Sequence, residues 1–292
     1  MAIVQLGGGT ASFVSPEGLL LTNHHVAFTA LQWTSSVNSD YLTNGFLAMN
    51  QSGEIKAPGY TARMVLDIKD VTKEILDAVK DVSDPLERDQ KVELKSTEMT
   101  QAIEEGKEDI RAIVSENFNG KQYILYTYKV FRDIRIVYAP PMAIGNYGGE
   151  IDNWMWLRHT GDFSFMRVYV APDGTGREYS PDNVPYKPAV WLKVAQTDLD
   201  EGDFTFVVGF PGFTTRYRTS TSAAWNLEQN YPFTIRNFKE IIEMADFITR
   251  DDPEGQIKVA NLTKGPGQYT EKFAGKSRRD EKDTLRGEDD RF

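Results

Sequence analysis

At 292 residues the chain is long enough for one large or two ordinary domains, and 40% hydrophobic with 26% charged residues is ordinary globular composition. A net charge of −10 argues against non-specific nucleic-acid binding, which needs basic surface to displace counterions. No run reaches the roughly eighteen apolar residues of a membrane-spanning helix, and zero cysteines exclude disulfides, thiol catalysis and cysteine-based zinc sites.

Met1-Ala2-Ile3-Val4-Gln5-Leu6 lacks the basic region, apolar core and cleavage site of a secretory signal. Residues 3 to 66 read as strand-rich, punctuated at Pro16-Glu17-Gly18, Asn44-Gly45, Ser52-Gly53 and Pro58-Gly59. Within them, Phe13-Val14, the Pro16-Glu17-Gly18 turn and Leu19-Leu20-Leu21 predict strand, turn, strand, leading into Thr22-Asn23-His24-His25-Val26. Residues 67–118 predict a helical insertion. Val71, Ile75 and Val79 share a face; Asp84 suits an N-cap, Pro85 the first helical position and Glu87 the capping-box position. Val92, Met99, Ile103, Ile110 and Val114 follow at spacings of 7, 4, 7 and 4, a narrow seam that Gly106 interrupts. Strands resume over Tyr123 to Val130, Ile134 to Tyr138, Phe163 to Val170 and Asp203 to Phe210. From Ser220 the pattern turns helical, with Ile235, Phe238, Ile242 and Ala245 on one face. Lys276 to Phe292 is highly charged and predicts a frayed end.

Two of the three histidines stand together where a strand gives way to the next segment. That is where chymotrypsin-like serine peptidases present a general base, although a histidine pair at a strand end can also simply satisfy backbone groups. On an extended backbone His24 and His25 point to opposite faces, so one of them faces any site and the other packs. A zinc site from His24, His25, His159 and Asp162 has suitable donor types, but diverging neighbours make a poor chelate. No metal or organic cofactor is expected.

Three blocks carry a resemblance to a family. They are Ser12-Phe13-Val14-Ser15-Pro16-Glu17-Gly18-Leu19-Leu20-Leu21-Thr22-Asn23-His24-His25, the run from Gly148-Gly149-Glu150-Ile151-Asp152-Asn153-Trp154 to His159-Thr160-Gly161-Asp162-Phe163-Ser164, and Gly209-Phe210-Pro211-Gly212 with Arg216-Tyr217. Together they resemble the bacterial serine dipeptidyl-peptidases of peptidase family 46, typified by dipeptidyl-peptidases 7 and 11. The resemblance implies a mainly β fold with α insertions: a chymotrypsin-like double β-barrel with a helical cap. Residues 1–66 and 119–200 would form the first barrel, 201–219 the start of the second, and 220–292 the beginning of the cap. It implies that His25 is the general base and Asp162 the triad acid, and that Asn153 and Trp154 hold the ammonium of a peptide with a free N-terminus; His159 with Arg158 is placed to brace Asp162. Asp152 is a rival carboxylate. Gln268-Tyr269 stands where the family has Asn-Tyr, and the residues at Gly9 and Val26 are often cysteines in the family. A periplasmic or cell-surface location follows from the same resemblance, which is also compatible with a homodimer.

The nucleophile is missing from this pattern. No Gly-Asn-Ser-Gly or Gly-Asp-Ser-Gly block occurs, and Ser12, Ser164 and Ser222 lack the glycine-flanked turn that exposes a serine beside oxyanion donors. In the family the serine lies downstream of the cap, so the chain reads as the N-terminal portion of a longer exopeptidase that releases dipeptides. The alternative is a non-catalytic module that binds peptide N-termini on the same fold.

Overall fold

The computed structural model describes residues 1–149, 157–212, 218–267, 270 and 273. The chain divides into two compact units, each assembled from separate stretches. The first comprises Met1–Thr22, Glu54–Ile136 and Phe165–Pro211; the second comprises Asn23–Gly53, Val137–Ser164 and Gly212–Phe292.

The first unit is built on short, mostly alternating strands: β1 (Ile3–Leu6), β2 (Gly9–Phe13), β3 (Leu19–Thr22), β5 (Ile55–Lys56), β6 (Ala62–Asp70), β7 (Ile110–Asn117) and β8 (Gln122–Phe131). Most of β9 (Asp133–Ala139), nearly all of β10 (Ser164–Val170), and β11 (Val184–Pro185) complete it. The order runs β9-β10-β3-β2-β1-β6-β8-β7, with β5 on β9 and β11 on β10. Pairings such as Val4↔Ala11, Val4↔Met64 and Phe13↔Leu20 are antiparallel. Alternation sends Val4, Leu6, Phe13 and Leu20 inward, where they are fully buried. Phe131 meets Phe13 edge-on at 6.5 Å and Tyr186 at 4.7 Å.

Two helices, α3 (Thr72–Ala78) and α4 (Pro85–Glu104), link β6 to β7. The Asp84 side chain accepts from the Glu87 N–H at 2.8 Å, with Pro85 in the first turn, the cap expected from sequence. Val71 and Ile75 pack with Ala112, Tyr123 and Leu125 in one cluster, flanked by Val92, Met99, Ile103 and Val114. Here the helical seam needs correction. α4 ends at Glu104, Gly106 turns the chain at φ +69°, and Ile110 and Val114 lie on strand β7. Residues 110, 112 and 114 keep an apolar face at strand spacing, and a two-residue period matches a helical seam wherever four residues separate the contacts.

A second correction concerns Asp203 to Phe210, which forms no strand. Phe204 is 87% exposed and Val207 fully so. Alternating aromatics become a strand only when another strand takes their backbone hydrogen bonds, and among the described residues none does. No described helix is long and apolar enough to cross a membrane.

The second unit is mainly helical: α1 (His24–Thr34), α2 (Tyr41–Asn44), α5 (Met142–Gly145), α6 (Ser220–Trp225), a π turn over Asn226–Asn230, and α7 (Tyr231–Thr249). Residues 253–267 form a further helix, and β4 (Phe46–Leu47) pairs the end of β9. The extended backbone expected at His24-His25 is overturned: strand pairing stops at Thr22, and a helix starts at His24. Ala27, Ala30 and Leu31 favour a helix, and His24, Ala27, Phe28 and Leu31 form its buried stripe. Gln32 Nε2 donates to the carbonyls of Ile257 and Lys258 at 2.8 and 2.9 Å, and Asn261 bonds Thr29 and Gln32, strapping 253–267 to α1. On α7, Ile235, Phe238, Ile242 and Ala245 do form the less exposed face. The charged end from Lys276 to Phe292 lies outside the described residues.

Candidate functional site

His25 enters the second unit on the first turn of α1, and Asp162 sits two residues before β10. The two meet. His25 Nδ1 stands 2.7 Å from Asp162 Oδ2, while the His25 main-chain N–H donates to Oδ1 at 2.9 Å. One residue thus holds both carboxylate oxygens, and the ring bond places the Nδ1 proton on the Asp162 side. The Asp162 side chain is 7% exposed and that of His25 46%.

Two further donors complete the carboxylate's surroundings. Arg158 Nη2 donates to Oδ2 at 3.2 Å, as the bracing role expected of it requires. Asn23 Nδ2 donates to Oδ2 at 3.3 Å and to the Asp162 carbonyl at 3.2 Å. Asn23 was not singled out from sequence. It occupies the N-cap of α1 with extended backbone, where asparagine is a preferred residue, yet its side chain makes no cap bond and turns to Asp162. Burial pushes the Asp162 carboxyl up, but the bonds from the His25 ring and N–H, with the charges of His25 and Arg158, outweigh it and hold the group at about 2.

His24 takes the opposite environment. Its ring is fully buried, edge-on to Phe28 at 6.3 Å, and among the described residues neither ring nitrogen has a hydrogen-bond partner. Burial, then the charge of Lys264 and, last, His25 lower its pKa to about 4, against an upward pull from Asp162. Lys264 itself lies over the Phe28 ring at 3.8 Å. The split between a buried and an exposed histidine follows successive positions of a helix, about 100° apart, instead of the alternation of a strand.

Near α5 the second unit also carries a cleft of about 520 Å³, bordered by Phe28, Asp40, Met142, Asn146, Asp246 and Lys264. Ser164 Oγ is buried without a hydrogen-bond partner among the described residues, and Ser222 lies in the first turn of α6. Among the described residues, no three histidine, aspartate or glutamate side chains converge as a metal site would need. Asn153, Trp154 and the rival Asp152, with Gln268, lie outside the described residues.

Comparison with known proteins follows the same residues. The family model described as Peptidase S46 matches residues 1–289. The chain is 39% identical over 276 residues to the Asp/Glu-specific dipeptidyl-peptidase of Flavobacterium psychrophilum, covering 93% of this chain and 38% of that protein. It is also 39% identical over 242 residues to dipeptidyl-peptidase 7 of Porphyromonas gingivalis, covering 82% of this chain and 34% of that protein. Among solved structures, DPP11 of Porphyromonas endodontalis in complex with the dipeptide Arg-Glu matches with a TM-score of 0.88 and 32% identity, covering 98% of this chain and 42% of that one. The likeness extends to the mainly antiparallel sheet with helices. The chain spans under half the length of the relatives it matches.

Proposed function

The chain belongs to peptidase family S46, and from that membership we propose that it forms the N-terminal part of a serine-type dipeptidyl-peptidase. The observation that carries the reading is the 2.7 Å contact between a nearly buried carboxylate and a half-exposed imidazole. In it, His25 takes the proton of a serine hydroxyl as that oxygen attacks the peptide carbonyl, and returns it to the leaving amine. Asp162 keeps Nδ1 protonated, leaves Nε2 free to act, and stabilises the imidazolium. The serine comes from a glycine-flanked turn outside these 292 residues, and an acyl-enzyme follows its attack.

Asn153 and Trp154 grip the substrate's ammonium, which fixes the distance to the scissile bond and makes the enzyme a dipeptide cutter through positioning. The sheet of the first unit is read as the first barrel of a chymotrypsin-like pair, in a periplasmic or surface-exposed enzyme compatible with a homodimer.

Dipeptidyl fluorogenic substrates with free and acetylated N-termini test the reading, together with a serine-directed phosphonate. The intact protein should turn over the free substrate and be labelled on one serine, and residues 1–292 alone should do neither. Asn153→Ala should cost about 1.5–3 kcal/mol in kcat/KM on free N-termini, as for a bond to a charged group, and little on acetylated ones. Labelling of a serine within residues 1–292, or equal losses on both substrates, would overturn it.

A further inference from the structure

His25 and Asp162 are each preceded by a residue packed against the same four-residue helix, α5. On one side Gly145 lies on the His24 imidazole. A β-carbon at position 145 would stand 2.4 Å from the ring's Cγ and 2.5 Å from its Cδ2. On the other side the Gly161 N–H donates to the Ile144 carbonyl at 3.0 Å, and a β-carbon at position 161 would stand 2.7 Å from Ile144 Cγ2. Both approaches are far inside the roughly 3.5–4.0 Å at which carbon atoms pack. Neither glycine has a positive φ, so the backbone does not require glycine at 145 or 161; the space does. Thr160 Oγ1 also donates to the Tyr147 carbonyl at 2.9 Å, tying the residues before Asp162 to the chain just past α5. The buried His24 ring has no hydrogen bond among the described residues, so packing sets its place, and Gly145 is backbone that it packs on.

We infer that α5 is the positioning element of the His25–Asp162 pair: Gly145 seats His24 and with it the turn that carries His25, while Ile144 seats Gly161 and with it the Asp162 carboxylate. Through α5, two residues adjacent in sequence to each other register two that are far apart in the chain. The consequence for catalysis rests on the proposed roles of His25 and Asp162; the placement itself does not. Groups of this kind must be held within about 0.5 Å of productive geometry, and a 1 Å displacement can cost about 100-fold in rate.

Isotope-labelled 292-residue chain gives two readouts by NMR: the pH at which the Asp162 carboxyl titrates, and the resonance of the proton between His25 Nδ1 and Asp162. In Gly145→Ala, the Asp162 titration should move up from about 2 toward the ordinary 3.8, because the displaced ring and N–H no longer stabilise the carboxylate. The shared-proton resonance should shift or vanish. Adding His24→Ala removes the collision and should restore both. Gly161→Ala should act in the same direction but less, since Ile144 Cγ2 ends a side chain that can swing, and Ile144→Ala should restore it. Thermal unfolding checks that each protein is folded; if Gly145→Ala is not, the Gly161 and Ile144 pair decides. A folded glycine variant with unchanged titration, or a second substitution that fails to restore it, overturns the inference. In the intact enzyme, Gly145→Ala should lower kcat about 100-fold with KM little changed. A titration that moves while kcat does not would support α5 as the positioning element and count against the catalytic roles of the pair.

Discussion

Asp133 and Asp162 each hold a nitrogen side chain at hydrogen-bonding distance, one in each unit, and they are enclosed differently. Asp133 is fully buried. Arg135 grips it through Nε at 3.1 Å and Nη2 at 2.8 Å, and Asn183 adds a bond at 3.0 Å. The guanidinium is stacked on Tyr169 at 3.7 Å and Tyr179 at 4.8 Å, so both partners are closed in by protein. Asp162 accepts four bonds to the three of Asp133, two from His25 and one each from Asn23 and Arg158, yet His25 keeps nearly half of its side chain open. A sealed pair has nowhere to send a proton. A pair with one buried and one open member can hold charge on the inside while exchanging protons on the outside. Unequal burial, and not the number of hydrogen bonds, separates the candidate catalytic pair from the structural one.

The largest expected effect on stability tests the sealed pair. Asp133→Asn leaves the Arg135 charge buried without a counter-ion and should cost about 3–5 kcal/mol in urea unfolding. A loss below about 1 kcal/mol, the range of exposed pairs, would mean that water reaches Arg135 and that the two pairs are alike.

Next comes the acid side of the stability profile. His24 stays neutral in the fold down to about 4, whereas the unfolded chain takes up the proton near 6.5. The stability this represents is therefore fully present above about 6.5 and lost as pH falls toward 4, roughly 3 kcal/mol in all. Asp162 follows lower down: its contribution is present above 3.8 and lost as pH falls through about 2, roughly 2 kcal/mol. His24→Phe should flatten the upper window and spare the lower one, whatever its absolute stability. An unchanged slope between pH 6.5 and 4 would place the His24 ring in contact with water.

The smallest effect is expected at Arg158, whose side chain is about one-third exposed. Arg158→Gln should change unfolding free energy by less than about 1 kcal/mol and raise the Asp162 titration slightly. A loss near that expected for Asp133→Asn would make Arg158 a structural partner after all.

Much of this was legible locally. The Asp84-Pro85-Glu87 cap and the Pro16-Glu17-Gly18 turn depend on neighbours in sequence, and the structure forms both, with Gly18 at φ +70°. Elements defined by long-range pairing were harder. Ile110 and Val114 fit a helical spacing as well as a strand face, and only pairing of β7 with β8 decides. Phe204 and Phe206 alternate like a strand, but a strand also needs a neighbour. At the site, His25, Asp162 and Arg158 are legible because each stands inside a motif block of the sequence. Asn23 carries no signal in sequence, because its bonds to Asp162 join residues 139 apart in the chain. Gly145 and Ile144 leave no mark in sequence, because their part lies in proximity to His24 and Gly161 alone.

The pair of adjacent histidines offers the most direct measurement: kcat/KM of the intact protein on a dipeptidyl substrate with a free N-terminus, for His25→Ala beside His24→Ala. With His25 as the base, His25→Ala should lose about 10⁴-fold. His24→Ala, corrected for folded protein, should lose no more than about 100-fold, since its ring positions the turn that carries His25 and takes no proton itself. A folded His24→Ala protein that loses as much as His25→Ala, or a His25→Ala protein that keeps its activity, would contradict the assignment of the base.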